Sequence, residues 1–396
     1  MCVAALMWKR LRQCAYCGSE CGHRAGCLEI TAKGVNGMRI IIRADGNVEI
    51  AMGHMMRCLS IADALRALGA DVVFVTAGDE IRGLLQARGY EDVVLGTSYC
   101  DMESELGAFL AYFRQQPARL ILIDSYFVTR KYMEVLRTWA RTALLDDLGE
   151  PAYPVDILIN YNIYAQKLPY REVFQKSGIP LPEQFLLGCA YAPLREQFGQ
   201  GRRSACREMV QDVLITTGGG DAENAAGALC GRIAEEIKEG RHRGIRYHVI
   251  CGPFSGHREK LRLLAAGHSA FLIHENVTCM WELMEQCDIA VSATGSTMYE
   301  LCSMRLPAVC FYFAENQRRM AEYFDRFTEI KSAGNIAENR ERVLEGLLTR
   351  LTRLEEDGQL RRRIREQMET LTDGLGARRI AESLILAGME VENANA

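Results

Sequence analysis

From Arg39 onward, short β-branched apolar runs alternate with stretches whose apolar residues recur at helical spacing. Arg39–Arg43, Asp71–Thr76 and Leu120–Asp124 read as strands, with shorter ones at Ala143–Asp146 and Ile157–Ile159. Helical patterns fill His54–Leu68, Glu80–Arg88, Glu103–Gln115 and Arg130–Arg141. Between Pro193 and Asp212 the pattern lapses into a charged stretch, and a second alternation then begins. Its strands are predicted at Asp212–Thr217, Arg246–Cys251, Ala270–Ile273, Asp288–Val291 and Pro307–Tyr312. Its helices are predicted at Ala222–Glu239, His257–Ala266, Val277–Gln286, Ser296–Met304 and Gln317–Phe327. Strands separated by helices of this length require crossover connections, hence mostly parallel sheets. The expectation is an α/β protein with two doubly wound, Rossmann-like domains facing a cleft, at 38–200 and 201–330.

Two segments fall outside this scheme. Residues 331–396 read as a charged helical tail, with Leu344, Leu347, Leu348, Leu351 and Leu354 forming an apolar stripe. Arg361-Arg362-Arg363 there reads as part of a solvated helix face, because acidic residues alternate with it. Residues 1–37 read as a flexible extension or the product of an upstream start, since Met38-Arg39 opens directly onto a strand. Cys14, Cys17, Cys21 and Cys27, with His23 among them, could supply four zinc ligands, but one short irregular run is unlike the paired spacing of structural sites. No metal site is assigned there.

Composition narrows the function. With 396 residues, 48% hydrophobic and 25% charged, the chain is long and apolar enough for two or three ordinary cores. Lys and Arg total 47 against 51 acidic residues, a net charge of −4, without the basic surplus that nucleic acid or an anionic membrane demands. No apolar run has the length of a membrane span. Met1–Trp8 precedes Lys9-Arg10, the wrong order for a signal peptide, and 15 scattered cysteines suit free thiols. A cytoplasmic protein is expected, with no nucleic-acid partner, no membrane insertion and a monomeric state.

Three strand-to-helix loops carry candidate chemistry, because open α/β sheets bind ligands beyond the carboxyl ends of their strands. The first runs from Arg43-Ala44-Asp45 to Gly53-His54. A helix start there offers unpaired N–H groups, and its dipole favours a neutral imidazole on His54, the state a general base needs. A capping or substrate-contacting histidine is the alternative. Cys58, four residues on, shares that helix face and reads as a packing residue before a reactive thiol. The second loop, Thr217-Gly218-Gly219-Gly220-Asp221, suits an anion or diphosphate, although tight turns use glycine anyway. The third, Thr294-Gly295-Ser296-Thr297, places Glu300 one turn into the next helix, where a carboxylate can accept from two ribose hydroxyls. Neither a triphosphate-binding GxxxxGK[ST] motif nor a GxGxxG spacing is present.

Beyond these loops the chain resembles a family. Arg43-Ala44-Asp45 followed by Gly53-His54-Met55-Met56-Arg57-Cys58 is similar to the opening of the UDP-sugar hydrolases of pseudaminic acid biosynthesis. Ile123-Asp124-Ser125-Tyr126, Leu145-Asp146-Asp147, Ile159-Asn160-Tyr161-Asn162 with Tyr164-Ala165, and Tyr191–Glu196 continue it in order. The second half adds Gly218–Asp221, His274-Glu275-Asn276, Ser292–Glu300 and Asn316-Gln317. The match covers about Met38 to Phe327. Part of it is shared with the peptidoglycan transferase that uses UDP-N-acetylglucosamine, so Gly53-His54 and Glu300 do not separate hydrolysis from transfer.

The resemblance implies a GT-B fold with the site in the interdomain cleft. Its activity would be cleavage of UDP-2,4-diacetamido-2,4,6-trideoxy-β-L-altropyranose to UDP and the free sugar, with inversion and without metal or cofactor. His54 would activate water, and Asp45 would either orient His54 or bind sugar. Arg43, Gly53, Arg57 and Tyr126 would meet substrate from the first domain. Gly218, Gly219, Gly220, Asn276, Val277, Thr294, Gly295, Ser296, Thr297, Glu300, Asn316 and Gln317 would hold it from the second, with Glu300 on the ribose. Two other functions fit the same loops: a GT-B glycosyltransferase, and a non-catalytic nucleotide-sugar sensor regulated through the cysteine-rich head.

Overall fold

A computed structural model describes residues 35–394, apart from 36, 48, 51, 222, 253 and 254. The zinc question at Cys14, Cys17, Cys21 and Cys27 lies outside the described residues. So does the predicted helix start at Ala222.

In the first domain, β1 (Arg39–Ala44), β2 (Asp71–Thr76) and β3 (Glu91–Val94) form one half of a sheet, and β4 (Leu120–Asp124), β5 (Arg141–Leu145), β6 (Ile157–Asn160) and β7 (Gln184–Leu187) the other. The seven strands run parallel in the order β3-β2-β1-β4-β5-β6-β7. Helices α1 (Gly53–Ala67), α2 (Arg82–Ala87), α3 (Met102–Gln115), α4 (Arg130–Arg137) and α5 (Tyr170–Ser177) connect them. β-branched residues such as Ile40, Ile41, Ile42, Val73 and Val75 are buried on both faces, as a sheet covered on both sides requires. The strand order reverses between β1 and β4, so the loops after these two strands flank a natural binding crevice.

The second domain repeats the plan with β8 (Asp212–Thr216), β9 (Arg246–Cys251), β10 (Phe271–Glu275), β11 (Ile289–Ala293), β12 (Ala308–Tyr312) and β13 (Ser332–Asn335). Its parallel order is β10-β9-β8-β11-β12-β13, with the reversal between β8 and β11. The helices are α6 (Ala225–Lys238), α7 (Arg258–Gly267), α8 (Met280–Gln286), α9 (Ser296–Ser303) and α10 (Glu315–Phe327), followed by α11 (Arg340–Glu356), α12 (Gly358–Leu371) and α13 (Gly376–Ala394).

Residues 331–394 are therefore no appended tail. β13 is a strand of the second sheet, and Leu344, Leu347, Leu351 and Leu354 are buried beside it. Arg361 is not on a solvated face either. It is 2% exposed and donates to the Leu354 and Glu355 carbonyls at the end of α11 and to the Glu208 carbonyl, satisfying acceptors that a helix end leaves open. α13 then crosses back to the first domain and packs on α1. The crossing is tight at Gly376, where a Cβ would strike the Ala192 backbone. At the other end of the domain, Val35 is fully buried in the core, so the fold begins ahead of Met38. Among the described residues no helix is long and apolar enough to cross a membrane.

Candidate functional site

The segments after β6 and β11, at carboxyl ends of the two sheets, touch where the Ile163 N–H donates to the Tyr299 hydroxyl. From the first sheet come the loops after β1, β4, β5 and β6, and they assemble around the start of α1. That helix begins at Gly53 with no side-chain cap on its free N–H groups, and it places His54, Arg57 and Cys58 on one face.

Asp124, the last residue of β4, is the hub. Its fully buried carboxylate accepts from His54 Nδ1 at 2.6 Å, from Arg57 Nε at 2.6 Å and Nη2 at 2.5 Å, and from Cys58 Sγ at 3.4 Å. Burial alone would raise this carboxyl, but Arg57 and then His54 hold it well below the usual carboxylate range. An ionised carboxylate only accepts, so the His54 Nδ1 that faces it carries a proton, and Nε2 is the ring nitrogen that Asp124 does not engage. Burial, with Asp124 beside it, pushes the Cys58 thiol up, so Cys58 serves as a donor rather than a nucleophile.

Arg57 also reaches Asp147, beyond β5, at 2.8 Å and the Tyr161 hydroxyl, beyond β6, at 2.9 Å. Asp147 in turn accepts from the Tyr126 hydroxyl at 3.1 Å and from Asn162 Nδ2 at 3.1 Å. Tyr126 meets the His54 ring edge-on, centroids 4.5 Å apart. Ile50, Tyr99, Tyr126 and Phe127 give the small cavity beside His54 and Asp45 an apolar rim.

The carboxylate on His54 is thus Asp124 and not Asp45, which accepts from Arg43 and from the Ala77 N–H at 2.8 Å. Arg43 has no exposed surface. Nε and Nη2 donate to Glu105 at 2.7 Å each, Tyr132 donates to the same carboxylate at 2.7 Å, and Arg43 reaches the cavity only through Asp45. The expectation that Arg43 meets substrate is corrected by this burial: its donors are consumed beneath the loop.

In the second domain, Gly218 takes φ +82°, and Gly252 lies so close below the loop that a Cβ there would strike the Gly218 and Gly219 carbonyls. A Cβ placed on Gly53, Gly218, Gly219, Gly220 or Gly295 would meet no atom within 4 Å. Asp221 caps α6, accepting from the Ala225 and Ala226 N–H groups at 2.6 and 3.1 Å. Thr294 donates to the Gln317 carbonyl at 3.3 Å, and the Gln317 side chain accepts from the Phe313 N–H at 3.2 Å, so these two expected residues come together. Ser296, Asn276 and Asn316 are exposed, while Thr297 and Val277 are half-buried. Glu300 faces Arg195 Nη2 at 3.3 Å. Burial lifts its carboxyl above the ordinary value, against the pull of Arg195.

The two halves meet through Tyr299. Its hydroxyl accepts from the Ile163 N–H at 2.9 Å and its ring lies 5.8 Å from Tyr161, the residue that touches Arg57. Among the described residues no cluster of three or more His, Cys, Asp or Glu side chains is arranged to hold a metal ion.

Sequence reasoning passed over Asp124, Asp147, Tyr161 and Arg195 as site residues. The available signal was position: Asp124 ends β4, the neighbour of β1, and Asp147 stands just past the carboxyl end of β5, the next strand.

No family model matches the chain. An uncharacterised protein of Methanocaldococcus jannaschii is 26% identical over 293 residues, 71% of this chain and 57% of its own length. A Helicobacter pylori protein named pseudaminic acid cytidylyltransferase and UDP-2,4-diacetamido-2,4,6-trideoxy-beta-L-altropyranose hydrolase is 21% identical, over 73% of this chain and 47% of its own. This chain thus spans about half the length of these two relatives. The spore coat polysaccharide biosynthesis protein SpsG of Bacillus subtilis is 22% identical over 72% of this chain and 81% of its own length. Among solved structures, Acinetobacter baumannii MurG superposes with a TM-score of 0.61 at 13% identity, covering 87% of this chain and 98% of MurG. Neisseria meningitidis UDP-GlcNAc 2-epimerase, bound to UDP-GlcNAc, gives 0.58 at 11%, covering 88% of this chain and all (100%) of that one. The chain has the GT-B fold, and the named relatives among its distant matches bear the names of pseudaminic acid and spore coat polysaccharide proteins.

Proposed function

We propose that this chain is a UDP-sugar hydrolase that cleaves UDP-2,4-diacetamido-2,4,6-trideoxy-β-L-altropyranose to UDP and 2,4-diacetamido-2,4,6-trideoxy-L-altrose. The observation that carries the reading is the His54–Asp124 pair, which engages Nδ1 and leaves Nε2 to take a proton beside the small first-domain cavity that His54 lines. In this reading a water held by Nε2 attacks the anomeric carbon from the face opposite UDP. The water gives its proton to Nε2, a carbon–oxygen bond forms, and the bond to the diphosphate oxygen breaks with its electron pair leaving on UDP. Configuration inverts, and the step draws on no group outside this chain, the sugar nucleotide and water. Asp124 stabilises the imidazolium, with Arg57 holding Asp124 in place. The N–H groups of the Gly218–Gly220 loop after β8 and of the Gly295–Thr297 segment at the start of α9 would face the diphosphate, and Glu300 the ribose hydroxyls. A net charge of −4 suits this arrangement, because N–H groups stand in for a basic patch.

One observation favours a second reading, glycosyl transfer. A second cavity, lined by Asn47, Gly78, Glu80 and Thr97, shares Asp45 and Tyr99 with the first and offers polar groups to an acceptor hydroxyl. A single assay separates the two: the chain is incubated with the UDP-sugar alone and UDP release is followed. Hydrolysis gives UDP and free sugar without acceptor. UDP release that begins only when a sugar acceptor is added would establish the transferase instead.

A further inference from the structure

Arg195 lies in the segment that joins the two sheets, and its backbone is fixed by buried neighbours, Ala192 and Leu194 before it and Phe198 after it. Its guanidinium stands 5.3 Å from the Phe198 ring. From that anchor Nη1 donates to the Thr278 carbonyl at 3.0 Å and Nη2 to Glu300 Oε1 at 3.3 Å. The two partners belong to different walls. Thr278 closes the loop after β10, in which Asn276 adopts φ +51°, and Glu300 lies one turn into α9. Arg195 is also the charged group set against Glu300, whose side chain is 17% exposed.

We propose that Arg195 is a positioning residue for nucleoside recognition, holding the Asn276–Thr278 loop with one nitrogen and the Glu300 carboxylate with the other. The inference rests on the nucleotide-site reading above and adds a residue to it. A ribose offers two adjacent hydroxyl donors, and an ionised carboxylate at a set angle accepts both. Arg195 opposes the burial that lifts the Glu300 carboxyl and sets its angle, while its planar fork ties that carboxylate to the Asn276–Thr278 loop in one piece. A lysine, a single point of charge, cannot span both partners in the same way.

The test is calorimetric titration of the full chain with UDP and with 2′,3′-dideoxy-UDP, which lacks both hydroxyls, between pH 5 and 8. The wild-type chain is expected to prefer UDP by about ten- to a hundredfold, the worth of hydrogen bonds to a charged group. Arg195→Gln keeps a donor for Thr278 but loses the charge, and should narrow the preference by about tenfold. Its affinity for UDP should also fail at a higher pH on acidification, because burial then acts on Glu300 unopposed. Arg195→Lys should keep the pH profile and lose only part of the preference, which covers the case in which Arg195→Gln folds poorly. An Arg195→Gln chain with the wild-type preference and pH profile overturns the proposal and leaves the nucleotide site standing. A wild-type chain that binds no UDP overturns both.

Discussion

His54 donates from Nδ1 to Asp124 across 2.6 Å, while Arg57 grips the same carboxylate through two nitrogens. The imidazole is therefore held in one tautomer by a group that is itself held. His54→Ala removes the proton acceptor and should lower UDP release by about a hundredfold to ten thousandfold. UDP affinity, assigned to the second domain, should stay within about twofold. Asp124→Asn keeps the shape but offers an amide N–H to a ring and a guanidinium that are both donors. UDP release should fall comparably, and a wild-type rate in either variant removes His54 or Asp124 from the proposed chemistry.

Arg43 and Glu105 have no exposed surface and face each other through two hydrogen bonds of 2.7 Å. Glu105→Ala leaves a guanidinium in the core with only Asp45 opposite. The expected cost is about 3–5 kcal/mol, read as a lower midpoint in urea unfolding. Because Asp45 rests on Arg43, the variant should also lose affinity for the sugar portion of the substrate; equal affinity would confine Arg43 to stability.

His242, at φ +53° after α6, places Nε2 2.7 Å from Glu236 and Nδ1 2.7 Å from Glu355 on α11. Two carboxylates need two N–H donors, so the ring binds them as imidazolium. Burial pulls its pKa down, but Glu355 and Glu236 together raise it above the ordinary 6.5. A raised folded-state value contributes stability that is complete below the unfolded value and disappears as pH climbs through the folded one. His242→Asn should therefore lower the Tm more at pH 6 than at pH 9. An equal loss at both pH values would show that the ring is held by packing alone.

Gly376 packs where a Cβ would strike the Ala192 backbone. Gly376→Ala must push the start of α13 off the segment that joins the sheets, at a cost of about 1–3 kcal/mol. The expected readout is a lower Tm with two resolved transitions by calorimetry, one per domain; a single unshifted transition counts against this contact as a lock.

Most of the fold was legible from periodicity. Asp71–Thr76, Leu120–Asp124 and Arg246–Cys251 fall where the apolar runs put them. Glu91–Val94 and Gln184–Leu187 escaped notice because edge strands carry polar residues, and Ser332–Asn335 because its sequence, SAGN, has little β character. Arg130–Arg137 ends four residues before the predicted stop, since Arg141 already opens the next strand. At the site, His54 and Glu300 were readable from helix starts next to strand ends. Asp124 was not, because its partnership with His54 spans 70 residues and only the β1–β4 pairing brings them together. The substrate role that the resemblance implied for Arg43 does not hold, because Glu105, 62 residues away in sequence, folds over it.

The return of α13 onto α1 has a consequence for synthesis. The first domain leaves the ribosome before the second, yet the helix that packs on α1 is translated after nearly the whole of the second domain. Until residues past Gly376 emerge, the buried face of α1 that α13 will cover stays open to water and to chaperones. The nascent first domain therefore waits, incompletely packed, for α13, and the two halves of the molecule mature together rather than in the order in which they are made.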